Sequence, residues 1–196
     1  MKKKYLAIIV IFVLAAGFGF GMNEYTLDPS HSSISFKIRH MVVSKVRGQF
    51  NDFSVFIKED PNDMSKSSVT AVIKVASIDT RDEKRDKHLH SEDFFYVEKF
   101  PEITFRSKRI QKKADGFAAT GTLTMRGVSK EITILFQVSE KIKDPWGNTR
   151  VGIEAEVKLD RKDYGINYNK TLDKGGLMVG NEVKIEILLE MIQKKK

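Results

Sequence analysis

Along most of this chain, apolar and polar residues alternate one by one. Ile34, Phe36, Ile38 and His40 alternate with Ser33, Ser35, Lys37 and Arg39. Val69, Ala71, Ile73 and Val75 form a second row, and Phe117, Ala119, Gly121, Leu123 and Met125 a third. Ile132, Ile134, Phe136 and Val138 repeat the pattern, as do Val151, Ile153, Ala155, Val157 and Leu159. Val183, Ile185, Ile187, Leu189 and Met191 complete it. A period of two belongs to strands, with one face buried and the other in water, and it excludes helices in these segments. Half-buried strands of this kind belong to antiparallel sheets. The connections carry turn chemistry: Asp115-Gly116 for a tight hairpin, Pro and Gly within DPWGN (144–148), and DKGG (173–176). The pattern predicts a single all-β domain, a sandwich or a barrel, over residues 22–196.

Two segments depart from the alternation. Phe50 has even parity while Phe53, Val55 and Ile57 have odd parity, so a one-residue slip is expected near Asn51 and Asp52, as in a β-bulge. The stretch TRDEKRDKHLHSED reads as a short polar helix around residues 80–90, opened by a Thr80–Glu83 capping box and supported by Glu83 and Lys87 four apart. On a helix, His88 and His90 point about 200° apart and cannot share a metal.

The N-terminus is a different kind of segment. Lys2, Lys3 and Lys4 precede an apolar run, Tyr5 to Met22, that becomes rich in Gly and Ala. This is the form of a secretory signal peptide over residues 1–21; an uncleaved membrane anchor is the alternative. A periplasmic location is expected. Formal net charge is +8, and removing the first 21 residues, with three lysines and no acid, leaves +5. The remaining lysines are interspersed with acids, so the surface is mixed-sign and no nucleic-acid partner is expected, while transient contact with a lipid surface is compatible with it. With no cysteine, the chain has no disulfide and no thiolate metal site.

No catalytic or metal constellation stands out. There is no H-E-x-x-H, EF-hand loop, G-x-S-x-G or phosphate-cradling glycine motif. The four histidines, His31, His40, His88 and His90, are scattered. Ser30, His31 and Ser32 are adjacent, but neighbours on a strand point to opposite faces. What remains is a concentration of aromatics after the helix, Phe94, Phe95, Tyr96, Phe100 and Phe105, and His40 at the end of an apolar row. The aromatics either seat the helix on the sheet or wall an apolar cavity, and a barrel of about eight strands can enclose one ligand.

Seven blocks, in order, carry a resemblance to a known family: LDPSHSSISFKIRHM (27–41), VRGQFNDFS (46–54), SIDTRDEKRDKHLHSEDFF (77–95), FPEITFRS (100–107), GTLTMRGVSKEIT (121–133), DPWGNTRVGIEA (144–155) and RKDYGINYN (161–169). GGLMVGNEVKIEI (175–187) fits as well. Together they resemble the YceI-like family of lipocalin-like, polyisoprenoid-binding proteins, from about Tyr25 to Leu189. The resemblance implies an extended eight-stranded antiparallel barrel with one short helix and a hydrophobic pore for a long isoprenoid or fatty chain. It implies export, a homodimer, and no catalysis, metal or cofactor. The pore wall it implies comprises Phe36, Ile38, Phe50, Phe53, Phe94, Phe95, Phe105, Ile134, Phe136, Tyr164 and Tyr168. Arg39, His40, Arg47 and His88 are candidates for a polar or anionic head group, with solvated surface as the equal alternative for Arg39 and Arg47. Tyr96 stands where many relatives carry Asp, a departure expected at the pore rim. Two other readings remain: an enzyme using histidines at the barrel mouth, and a ligand-free interaction protein.

Overall fold

The computed structural model describes residues 21–41, 43–171 and 176–195. The segment read as a signal peptide, up to residue 20, lies outside the described residues, as does most of the DKGG turn. Twelve strands form: β1 Asn23–Leu27, β2 Ser33–His40, β3 Ser44–Phe50, β4 Phe53–Glu59, β5 Ser68–Lys74, β6 Ile78–Asp79, β7 Glu102–Lys113, β8 Gly116–Met125, β9 Val128–Val138, β10 Ile142–Lys143, β11 Thr149–Asp160 and β12 Val179–Gln193. One α-helix, α1 Glu83–His90, lies between β6 and β7.

These twelve strands are eight staves. β1 and β2 lie end to end along β12, with Leu27 opposite Met191 and Ser33 opposite Leu188. β3 and β4 lie end to end along β2 and β1, with Phe50 opposite Ile34 and Phe56 opposite Thr26. β5 and β6 flank β4 and β3 in the same way. From there the sheet runs through β7, β8, β9 and β11 to β12. The long β11–β12 ladder, from Arg150↔Ile192 to Asp160↔Glu182, closes it into an antiparallel eight-stranded barrel. The β11–β12 ladder pairs eleven residues of β11, whereas β9 meets β11 at three, Phe136 to Val138.

The first three staves are interrupted at one level. Residues 28–32 separate β1 from β2, Asn51 and Asp52 separate β3 from β4, and a 3-10 turn, Val75–Ser77, separates β5 from β6. The breaks are bonded across: Asn51 N donates to Ser77 O (3.1 Å), and Lys74 N to Asp52 O (2.9 Å). The parity slip read near Asn51 is thus real. It is a shared break in three neighbouring staves rather than a bulge within one strand. A bulge does occur in β7, where the register with β8 shifts between Ser107 and Arg109. Gly121 sits opposite it: a Cβ there would lie 2.3 Å from Arg106 O and 2.7 Å from Ser107 Cα, so no side chain fits.

The helix forms where its charge pattern placed it, with a different cap. Asp82, not Thr80, is the N-cap, accepting from Arg85 N at 3.0 Å. Thr80 is buried and serves a tertiary role instead. Its N–H donates to Asp86 (3.0 Å), and its hydroxyl and carbonyl oxygens accept from the Arg85 guanidinium at 2.7 and 2.8 Å. These bonds hold α1 across one end of the barrel, here called the helix end. The opposite, hairpin end carries the β7–β8 and β10–β11 turns. In the latter, Asp144 accepts from Trp146 N and Asn148 N, and Gly147 adopts φ 79°.

Candidate functional site: an apolar lumen

The inward rows do not mesh across the barrel. They surround a cavity of about 420 Å³ whose wall takes side chains from all eight staves, among them Ile38, Val55, Ala71, Phe105, Leu123, Ile134, Ala155 and Ile185. Most of these inward side chains are only half-buried, and the surface they leave uncovered faces this lumen. Protein interiors are close-packed, with few voids larger than a water molecule. A lumen of this size forfeits dispersion contacts along its whole wall, and an apolar cavity excludes water while accepting apolar guests.

Ten of the eleven expected wall residues line it: Phe36, Ile38, Phe50, Phe94, Phe95, Phe105, Ile134, Phe136, Tyr164 and Tyr168. The exception is Phe53. It stands at the stave break, where its ring packs between the two core clusters instead of facing the lumen. The aromatics cluster at the helix end, Phe50 and Phe95 edge to face and the other pairs tilted. Phe36 and Phe50 are 5.8 Å apart, Phe50 and Phe95 6.2 Å, and Phe94 and Tyr168 5.0 Å. They therefore both seat the helix and form wall. Tyr96 lies outside the lining; it adopts φ 53° and packs on Phe100 at 6.0 Å. A tyrosine in the left-handed region is uncommon, so what this position demands of its residue is a backbone conformation.

Of the four head-group candidates, His40 and His88 line the helix end of the lumen, and Arg39, exposed and opposite Lys45 on the outward face of β2, borders its rim. Arg47 does not. Its neighbour Val46 takes the inward position opposite Ile38, which turns Arg47 outward beside Lys45. His88 is held by Asp93 (2.8 Å) and by the edges of Phe94 (4.9 Å) and Tyr168 (4.7 Å). His90 is not in the lumen wall, in keeping with the divergence expected on a helix.

The sequence reading missed Arg161, Tyr25, Glu59 and Lys141, all of which line the lumen. Arg161 and Tyr164 share a 3-10 turn, Arg161–Tyr164, after β11. The Arg161 guanidinium is 5% exposed and donates to Gly180 O and Ile166 O, both at 2.8 Å, tying down the approach to β12. Burial pulls its pKa down. Tyr164 is 1% exposed, burial pushes its pKa up, and its hydroxyl has no hydrogen-bond partner among the described residues. A buried hydroxyl left unpaired is destabilising. Tyr164→Phe is therefore expected to leave stability unchanged or raise it by up to about 1 kcal/mol in denaturant titration.

At the hairpin end, Glu59 accepts from Lys141 Nζ (2.7 and 2.8 Å), Tyr25 Oη (2.9 Å) and Asn23 Nδ2 (3.1 Å). Burial pushes the Glu59 carboxyl up, but these three donors outweigh it and hold the pKa low. Burial likewise opposes the charge on Lys141, and its bond to Glu59 reverses the effect and raises its pKa.

Two constellations elsewhere look chemical and are not. Ser30 and His31 lie on a 3-10 turn, Pro29–His31, and not on a strand, so they do meet: Ser30 Oγ is 3.2 Å from His31 Nδ1, and that nitrogen is 3.1 Å from Asp28 Oδ2. Serine and aspartate both use the same imidazole nitrogen, so no relay from serine through the ring to the acid exists. Asp28, His31 and Glu190 also converge within 4.8 Å as metal ligands would. The Arg150 guanidinium already takes the cation position, bonding Asp28 (2.6 Å) and Glu190.

Comparison with known proteins agrees with this geometry. A UPF0312 protein of Staphylococcus aureus strain MRSA252 is 41% identical over 170 residues, 86% of this chain and 97% of the relative. The YCEI protein of Campylobacter jejuni superposes with a TM-score of 0.67 at 32% identity, covering 87% of this chain and 98% of that one. BcnA of Burkholderia cenocepacia does so with a TM-score of 0.72 at 25% identity, over 84% and 98%. A polyisoprenoid binding domain from Saccharophagus degradans shares the fold with a TM-score of 0.61 at 15% identity, over 87% and 98%. The YceI-like domain model matches residues 25–191, the whole of the barrel to within two residues at either end, and the chain belongs to that family.

Proposed function

We propose that this protein is an exported lipid carrier or scavenger whose lumen holds one long-chain amphiphile, of the polyisoprenoid quinone or prenyl phosphate type or a fatty analogue. The carrying observation is the unfilled apolar lumen of about 420 Å³ inside a closed barrel. Burying an apolar tail there is favourable by about 25 cal/mol per Å² before the cost of association, so a tail of several isoprene units binds without special chemistry. The Saccharophagus domain, with the same fold, is a polyisoprenoid binder, which supports the assignment of ligand class. The polar groups at the helix end suit the head group. Export through the N-terminal segment to the periplasm, a homodimer and transient contact with a membrane surface belong to the same proposal.

The test is native mass spectrometry of protein purified from its own envelope, followed by organic extraction of what it carries. A stoichiometric long-chain lipid is the expected result. A protein of apo mass that also takes up no prenyl or fatty probe would overturn the reading.

A further inference from the structure

The two ends of the lumen differ in chemistry. At the helix end the wall includes His40, Arg85, His88 and Arg161, with Arg39 at the rim, and Glu59, at the other end, is the one acidic residue of the lining among the described residues. The Glu59 carboxylate already has four donor contacts from Lys141, Tyr25 and Asn23. An ionised carboxylate offers about four lone-pair sites, so this group is saturated and has nothing to offer a ligand head. The Lys141 ammonium also stands 5.6 Å over the Tyr25 ring. The Glu59 side chain is 14% exposed and that of Lys141 42%, so the pair stands between lumen and solvent.

From these observations, and resting on the lipid-binding reading above, we infer that the Glu59–Lys141 pair is the floor of the lumen: it makes the ligand enter tail-first from the helix end and sets the longest tail the barrel accepts. A tail shorter than the lumen stays against apolar wall. A longer one must part an ion pair at a partly dehydrated site, which costs more than another buried methylene returns. The lining of β11 runs from Val151 to Leu159. The eight steps between them at about 3.3 Å each, on a stave tilted by about 40°, give a straight tail about 20 Å before it meets the floor.

The experiment is a chain-length series of saturated fatty acids, each competed against a fluorescent fatty-acid probe. In the wild type, affinity is expected to rise about fourfold per methylene and then go flat at a cut-off length. In Glu59→Ala/Lys141→Ala, which removes both charges together, the rise should continue for at least two further methylenes. Glu59→Lys/Lys141→Glu, which rebuilds the pair reversed, should restore the wild-type cut-off. Should the double alanine variant not fold, Glu59→Gln/Lys141→Met, which removes both charges at nearly constant volume, carries the same expectation. A cut-off at the same length in the folded floor variants would overturn the inference while leaving lipid binding intact. If neither this series nor a matching series of prenyl alcohols binds the wild type, the lipid-binding reading falls, and this inference with it.

Discussion

Ala155→Trp is expected to lower affinity for any long-chain ligand at least a hundredfold while the barrel stays folded. Ala155 faces the lumen from the middle of β11, opposite Phe136 on one side and Ile187 on the other. An indole there occupies space that a ligand tail needs. In a close-packed core the same change would force strained rotamers and lower stability by typically 1–3 kcal/mol. Here the added ring enters an existing void and gains dispersion contacts, so Tm should hold or rise. The measurement is titration with a fluorescent fatty probe, paired with thermal unfolding of the same samples. Undiminished binding in a folded Ala155→Trp protein would show that ligand does not lie in the lumen. A collapse of Tm would show that the inward rows mesh more tightly than the cavity implies.

Arg150→Ala should produce the largest loss of stability among charge removals, a fall in Tm on the order of 10 °C. Arg150 Nε bonds Asp144 at 2.7 Å, while Nη1 bonds Asp28 at 2.6 Å and Glu190. The side chains of Arg150, Asp28 and Asp144 are 15%, 11% and 5% exposed. One guanidinium thus joins the residues before β2, the DPWGN turn and the end of β12. Its removal leaves three like charges together with little water to screen them. Arg150→Lys should rescue only in part, because an ammonium lacks the planar fork that serves partners on two sides.

The same cluster sets an acid limit. Burial pushes the Asp144 carboxyl up, but the Arg150 guanidinium and the donors of Asn148 and Trp146 outweigh it and hold the pKa at about 2. Asp28 is held lower still, first by the Ser30 hydroxyl and then by Arg150 and His31. Both pKa values are depressed on folding, so the stability they contribute is complete above the unfolded value of 3.8 and is lost as pH falls from there toward 2. Wild-type Tm should hold from pH 7 to about 5 and drop steeply below 4. In Arg150→Ala the crowded carboxylates gain from protonation, so the gap between the two proteins should narrow on acidification. Parallel pH profiles in calorimetry would remove this cluster from the account of stability.

Alternation alone identified nearly every long strand and the face each one buries, because side-chain direction along a strand is a local property with a period of two. The Ile132–Val138 and Val151–Leu159 rows both point inward as read. The helix was legible from its charges, although Asp82 and not Thr80 caps it. Of the two readings open for Arg47, the structure gives the outward one, because parity turns Val46 inward. Phe53 was misplaced because its inward parity says nothing of the stave break beside it.

What the sequence by itself determined, then, was the class of fold, the inward and outward faces, and the family to which the blocks belong. Tertiary structure decided that the inward faces surround a void rather than interlock. That depends on the number and tilt of strands at closure, a global quantity that no local window contains. It also decided the polar partners. Glu59 and Lys141 are 82 residues apart in the chain, and Asp28 and Arg150 are 122 apart. Each reads in sequence as an ordinary solvated charge, and only the closed barrel, by bringing distant staves together at its hairpin end, pairs them.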